Sequence, residues 1–280
     1  MKKGISIWSF ANGTLKEKML LAKKAGFDGI ELSLDEVGEV SLESTEEGLL
    51  EIKAYAKEIG IELYSVASGL YWTYNYTSAN EENREKAKAI TRKQLEVASI
   101  LGCDTILVVP GAVEVAFDPG EVVEYDVAYE RAKAALKELA PYAEKLKVAI
   151  GVENVWNEFL LSPLEMARFI DEIGSDYVGS YFDVGNVMFS GFPEHWIKIL
   201  GKRIKKVHFK DYRRAVGNAG TAGMVDLLAG DVNYPAVMEA FKKVGYDDWA
   251  TAEMLPPYRH YPETIIYNTS NAMDKILGRK

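Results

Sequence analysis

The sequence contains a single cysteine, Cys103, and only three histidines. One cysteine cannot form an intramolecular disulfide, so the composition favours a reducing compartment, and we expect a cytoplasmic protein. No apolar run approaches the length needed to span a membrane. The first ten residues also lack the long apolar segment of a signal peptide.

An excess of positive charge is also missing. The 33 Lys and Arg residues are outnumbered by 42 Asp and Glu residues, which gives a formal net charge of −9. This charge disfavours a phosphate backbone or an anionic membrane surface as a partner. We therefore expect a small-molecule substrate, with neither a nucleic acid nor a membrane as partner.

Short β-rich runs alternate with helical segments, and no low-complexity tract or linker divides them. The predicted strands lie near residues 5–9, 29–32, 62–67, 105–109, 148–153, 177–183, 204–209 and 250–254. Eight strands, each followed by a helix, predict an α/β protein in which residues 1–280 form one (β/α)8 TIM barrel domain. A doubly wound sheet is the alternative, but IWSFANGT after the first strand carries no glycine-rich phosphate loop.

Four predicted strands end in residues that can bind a metal. Side chains of a barrel strand alternate between the interior and the surrounding helices. In the fifth strand the branched residues suit the helix side, so Glu153 should point inward. The same alternation points Asp183, His208 and Glu253 inward at the ends of the next three strands. It also points Lys206 inward, and an inward lysine fits only if it lies near the open bottom of the barrel.

These four residues fall on the barrel face that carries catalysis in this fold. A solvated or capped strand end would explain any one of them, but it does not explain all four together. Three converging carboxylates without a cation would repel one another strongly in a cup of low dielectric constant. Three oxygen ligands and one imidazole suit Mn²⁺, Mg²⁺ or Co²⁺, with Zn²⁺ a further candidate. We expect one divalent ion, Mn²⁺ ahead of the others.

At these residues the sequence resembles the xylose isomerase-like TIM-barrel superfamily, and within it the ketose 3-epimerases of tagatose, psicose and pentulose 5-phosphates. The resemblance covers essentially the whole chain through GVENVWN, YFDVGN, KKVHFKDYRR and TAEM, in that order. It implies that Glu153, Asp183, His208 and Glu253 bind one divalent ion and that the two glutamates form an acid/base pair. Family members are often dimers or tetramers, so the resemblance also implies a homo-oligomer.

The resemblance further implies substrate contacts. Arg214 matches by spacing an arginine that contacts substrate hydroxyls after the family's histidine. Asn186 stands where several epimerases place a histidine, and Glu158 is the nearest match to a second family carboxylate.

Other contacts are expected from the residues themselves. Trp8 and Glu31 close the first and second strands, and Trp72 lies in an aromatic loop after the third. Aromatic faces pack well against sugar C–H surfaces, although structural packing is the alternative for both tryptophans. The loop of residues 211–230, long and containing four glycines, is a candidate lid.

This set of residues predicts an isomerase. A metal on a carbonyl oxygen and its neighbouring hydroxyl would stabilise an enediolate, while two flanking carboxylates remove and return a proton. Glu153 and Glu253 suit those two positions, which predicts inversion at C3 of a ketose, free or phosphorylated. Return of the proton to the neighbouring carbon would instead give aldose–ketose isomerisation.

Three other functions compete with this one. A keto-inositol dehydratase or isomerase would use the same metal and enolate chemistry, and it stays open. A metal-dependent abasic-site endonuclease would need several metals and a basic face for DNA, which three histidines and a charge of −9 disfavour. The intact Glu153 and Glu253 argue against a non-catalytic sugar-binding barrel.

Overall fold

The computed structural model describes residues 1–115, 120–216 and 223–279. Eight parallel strands close a barrel, and each is followed by a helix on the outside. This architecture confirms the predicted (β/α)8 TIM barrel. Within the described residues, every helix is too short or too polar to span a membrane.

The barrel strands are numbered β1 to β8 in chain order, and the α-helices between them α1 to α8. The strands are Lys2–Ser6, Gly29–Ser33, Glu62–Ala67, Thr105–Val108, Ala149–Glu153, Val178–Asp183, Ile204–Phe209 and Trp249–Ala252. The helices are Leu15–Lys24, Glu46–Ile59, Glu81–Leu101, Tyr125–Leu146, Pro163–Ile173, Pro193–Leu200, Tyr234–Val244 and Glu263–Ile276. The first strand both begins and ends earlier than predicted, and it ends at Ser6 because Ile7–Ser9 form a short 3-10 helix.

The predicted lid, residues 211–230, follows β7. Asp211–Tyr212 and Met224–Val225 pair there as a short antiparallel ribbon. Residues 217–222 of this loop lie outside the described residues.

The hydrophobic core lies between the strands and the helices. Helix α5 shows how the sequence builds it: the Ser162 hydroxyl caps its first turn, Pro163 occupies its first position, and Gly174 ends it with φ +77°. The face between these ends buries Met166, Ala167, Phe169, Ile170 and Ile173. Outward side chains of the strands, such as the fully buried Ile30 and Ile150, complete this layer.

The lower barrel interior is filled by one buried cation and two stacked rings. Lys206 is buried, and its ammonium contacts the carboxylates of Asp248 and, at 2.8 Å, Asp104. Its inward direction is therefore as the alternation predicted. On the neighbouring strand β8 the ring of Trp249 stacks on Tyr64, with ring centroids 3.9 Å apart.

Strand β3 departs from simple alternation. Its pairing with β2 shifts by one residue, so that Tyr64 and Ser65 both lie opposite Glu31. Both side chains consequently reach the barrel interior. The Tyr64 hydroxyl donates to Thr251 at 2.9 Å, and the Ser65 hydroxyl donates to Glu31 at 2.9 Å.

The absence of a side chain at Gly29 makes room for the Trp249 ring. An added methyl group would lie 2.5 Å from that ring and 2.8 Å from the carbonyl oxygen of Glu62. We expect Gly29→Ala to lower the free energy of unfolding by about 1–3 kcal/mol, the usual cost of overpacking. Urea denaturation measures this change.

Gly48→Ala is the matched control, because a methyl group there meets only the Thr45 hydroxyl at 3.5 Å. It lies in helix α2, where alanine is favoured over glycine, so this variant should lose no stability. Equal stability of the two variants would contradict the packing argument.

Candidate metal centre and active site

The top of the barrel brings together the four residues predicted as metal ligands. One ligand atom each from Glu153, Asp183, His208 and Glu253 lie within 4.8 Å of one another, and all four residues are buried. They come from β5, β6, β7 and the residue that follows β8. The ends of four adjacent parallel strands therefore place all four residues together.

The cluster fits a cation by its charge as well as its geometry. Asp183 Oδ2, His208 Nδ1 and Glu253 Oε2 are buried and take part in no hydrogen bond of acceptable geometry. Burial of carboxylate charge is costly unless a cation lies beside it. Because carboxylates and imidazole are common ligands of divalent metals, this group can hold a divalent ion.

The imidazole of His208 is oriented by Glu31, a fully buried carboxylate on β2. His208 Nε2 lies 2.9 Å from Glu31 Oε1, so Nδ1 faces the three carboxylates. Glu31 is in turn held by the hydroxyls of Ser65 and Tyr181. A carboxylate behind a histidine ligand fixes its tautomer and ring orientation. Glu31, expected as a substrate contact, thus lies behind the histidine.

A lysine outside the predicted set lies among the carboxylates. Lys210 Nζ is 2.9 Å from Asp183 Oδ2 and 2.5 Å from Glu253 Oε2. The alternation that turns Lys206 and His208 inward extends to Lys210, so the signal for it was present in the sequence. In the protein alone, its ammonium supplies positive charge to the cluster.

The two glutamates differ in their affinity for a proton. Burial raises the pKa of Glu153 above its usual value. Burial also acts to raise the pKa of Glu253, but the charges of Lys210 and His208 outweigh it and hold that pKa below its usual range. When the pKa values of two neighbouring carboxyl groups are displaced in opposite directions, the group of higher pKa can hold a proton while the other is ionised.

A cavity of about 570 Å³ meets the cluster at Glu153 and Glu253. Three predicted substrate contacts, Asn186, Trp8 and Trp72, line it. Most of the remaining lining is apolar and comprises Val109, Val155, Trp156, Met224, Val225, Met254, Leu255, Pro256 and Pro257. The predicted acid/base pair and a space for a ligand therefore coincide.

Like Glu31, the predicted substrate contacts Arg214 and Glu158 lie outside this lining. The guanidinium of Arg214 donates to the Gly191 carbonyl oxygen and lies 4.6 Å from the centroid of the Phe192 ring. Glu158 is exposed, with its backbone in the left-handed region at φ +54°.

Two relatives match most of this chain over most of their own length. A D-psicose 3-epimerase of Enterocloster bolteae is 28% identical over 241 residues, which cover 82% of this chain and 78% of that protein. An L-ribulose-5-phosphate 3-epimerase, UlaE, of Escherichia coli is 23% identical over 241 residues with the same two coverages.

Among solved structures, the IOLI protein with a bound zinc atom superposes with a TM-score of 0.82 at 19% identity. The match covers 100% of this chain and 99% of that chain, and at this identity it shows the fold alone. The family model described as "Xylose isomerase-like TIM barrel" matches residues 19–271. Since that match spans most of the sequence, the chain belongs to the xylose isomerase-like TIM barrel family.

Proposed function

We propose that the chain is a divalent-metal-dependent sugar epimerase that inverts C3 of a ketose by proton transfer through an enediolate. The chain is an enzyme of the isomerase class, in keeping with its relatives, which are named as epimerases. The observation that carries the finer proposal is the pair Glu153 and Glu253. Both are buried at the metal-binding cluster, and both line the same cavity.

The proposed metal ligands are Glu153, Asp183, His208 and Glu253, with Mn²⁺ favoured. A divalent ion held there would supply positive charge for the oxygen of the substrate carbonyl as negative charge develops on it. The close approach of one ligand atom from each of these buried residues supports this assignment. The bound zinc atom of the IOLI structure is a further support from a protein of the same fold.

The two glutamates approach the cavity from different strands. Glu153 ends β5, whereas Glu253 follows β8, three strands away around the barrel. On this basis one carboxylate removes the C3 proton and the other returns a proton to the opposite face.

Substrate binding is proposed to use the walls around that pair. Trp8 and Trp72 offer ring faces in the cavity, and Asn186 offers an amide beside Glu153, with Nδ2 3.4 Å from Glu153 Oε1. Arg214 and Glu158 remain proposed contacts, which must turn toward the cavity to touch a hydroxyl.

The support of His208 by Glu31 gives a test of the metal site. Glu31→Gln retains the size of the side chain but removes the charge behind the imidazole. We expect the affinity for Mn²⁺ to fall about 10–100-fold, as is usual when a histidine ligand loses its supporting carboxylate. Calorimetric titration of the metal-free protein measures this affinity.

Glu62→Gln is the control for this titration, because Glu62 is exposed and pairs with Lys2 far from the cluster. Its Mn²⁺ affinity should equal that of the unaltered protein. An unchanged affinity in Glu31→Gln would show that Glu31 does not support a metal ligand.

The acid/base pair gives the second test. Glu153→Gln and Glu253→Gln each retain an oxygen ligand but remove the group that carries the proton. Turnover of a ketose should fall about 10²–10⁴-fold in each, the usual contribution of a general acid or base. Each variant should still exchange the C3 hydrogen of one epimer with solvent deuterium, as followed by NMR.

Glu51→Gln, on the exposed face of α2, should leave turnover unchanged. The mechanism is wrong if both active-site variants epimerise normally. It is also wrong if the unaltered enzyme forms product in D₂O without deuterium at C3.

The ammonium of Lys210 gives a third test, one that needs no substrate. Without metal, Lys210→Met leaves the carboxylates of Asp183 and Glu253 with only His208 as a cation. We expect the free energy of unfolding in EDTA to fall by about 3–5 kcal/mol, the typical result of breaking a buried ion pair. Added Mn²⁺ should recover most of this loss, since it supplies charge to the same carboxylates.

Urea denaturation in EDTA and in Mn²⁺ gives both values. Lys202→Met, an exposed lysine ahead of β7, should differ little from the unaltered protein in either condition. A Lys210→Met variant of unchanged stability in EDTA would exclude a charge-balancing role for this lysine.

A further inference from the structure

Four polar side chains of the cavity form one group at the cluster. Asn186 Nδ2 lies 3.4 Å from Glu153 Oε1, and Asn186 Oδ1 lies 3.5 Å from Lys210 Nζ. Lys210 in turn contacts Glu253 at 2.5 Å. These four residues, which all line the cavity, therefore serve the reacting end of a bound molecule.

Two other polar side chains in the lining already have hydrogen-bond partners. The Ser68 hydroxyl donates to the carbonyl oxygen of Leu34 at 2.8 Å and accepts from the backbone N–H of Leu70 at 3.2 Å. The carboxylate of Asp211 accepts from backbone N–H groups of its own loop, at 2.8, 2.9 and 3.1 Å. Neither group is arranged to receive a row of sugar hydroxyls.

Away from the cluster the lining is dominated by indole rings and aliphatic side chains. Trp8, Trp72 and Trp156 contribute rings, and Met224, Leu255 and Pro257 contribute aliphatic surface. The Trp156 N–H is engaged, since it donates to the Asn186 carbonyl oxygen at 3.0 Å. A hydroxyl buried against the aliphatic part of this wall loses its hydrogen bonds to water without replacement, whereas an apolar group is stabilised there.

Away from the cluster the lining also offers little to a phosphate. Among the described residues that line the cavity, Lys210 is the single Lys or Arg, and it lies at the reacting end beside Asp183 and Glu253. Residues 116–119 and 217–222, outside the described ranges, contain no Lys or Arg in the sequence. Phosphate recognition ordinarily uses Arg or Lys side chains, and the net charge of −9 further repels an anion.

The cavity is large enough for more than a simple sugar. Its volume of about 570 Å³ falls within the range of about 300–1,000 Å³ that accommodates drug-sized molecules. We infer that the substrate is an unphosphorylated ketose whose end remote from the reacting carbonyl carries an apolar group, either a deoxygenated carbon or an aryl substituent. This inference rests on the proposed function, since it concerns the same cavity.

Four ketohexoses that differ only at C6 test the inference. They carry a hydroxyl, a hydrogen, a benzyl ether or a phosphate at C6, and they are assayed with the Mn²⁺-loaded enzyme in both the D and L series. Epimerisation and C3 deuterium exchange are followed by NMR. We expect the benzyl ether and the 6-deoxy sugar to exceed the hydroxyl compound at least about tenfold in kcat/KM, with the phosphate lowest.

Met224→Arg places a cation in the apolar wall and should lower the preference for benzyl ether over phosphate about tenfold. Leu228→Arg is the matched control: it makes the same kind of change on the same loop, at a residue 53% exposed and outside the lining. Its order of preference should be that of the unaltered enzyme. Mn²⁺ titration of both variants shows that the metal site is intact.

The outcomes separate this inference from the proposed function. If all four sugars exchange deuterium but the phosphate or the hydroxyl compound is turned over fastest, the inferred substrate class is wrong and the proposed function stands. If none of the four exchanges deuterium at C3, the proposed function fails and the inference fails with it. An unchanged preference in Met224→Arg would also contradict the inference.

Discussion

Convergence of like charges at the top of the barrel is the constraint on which the rest of the site depends. Glu153, Asp183 and Glu253 are buried together, and the low dielectric constant around them strengthens the repulsion between their charges. The neighbouring groups that offset them include the imidazole of His208 and the ammonium of Lys210, and the arrangement of the ligand atoms also fits a divalent metal. The chemistry of the site follows from how this negative charge is balanced.

Side chains below the cluster hold its histidine in position. Glu31 orients His208, and Ser65 and Tyr181 orient Glu31. Ser65 faces Glu31 because the pairing of β3 with β2 shifts by one residue. A small irregularity in one strand thereby supplies one of the two hydroxyls that hold the carboxylate behind the histidine.

Period-two alternation was sufficient to predict the barrel and the inward direction of its ligand residues, because a strand offers only two directions. The same rule would have found Lys210, had it been followed two residues beyond His208. It could not find the shifted pairing of β3, which depends on the neighbouring strand. Nor could it place Arg214 or Glu158, because loop side chains follow no fixed period.

Asp211 has a further consequence for the loop over the cavity. Its carboxylate binds the N–H of Tyr212 at the start of the loop and those of Leu228 and Val232 at its end. Both ends of the segment are thus tied to one side chain before any ligand arrives. Met224 and Val225, which line the cavity, lie between these joined ends, so holding them against a ligand costs less conformational entropy than it would in a loop with free ends. A larger share of the contact energy between loop and ligand is then available for affinity.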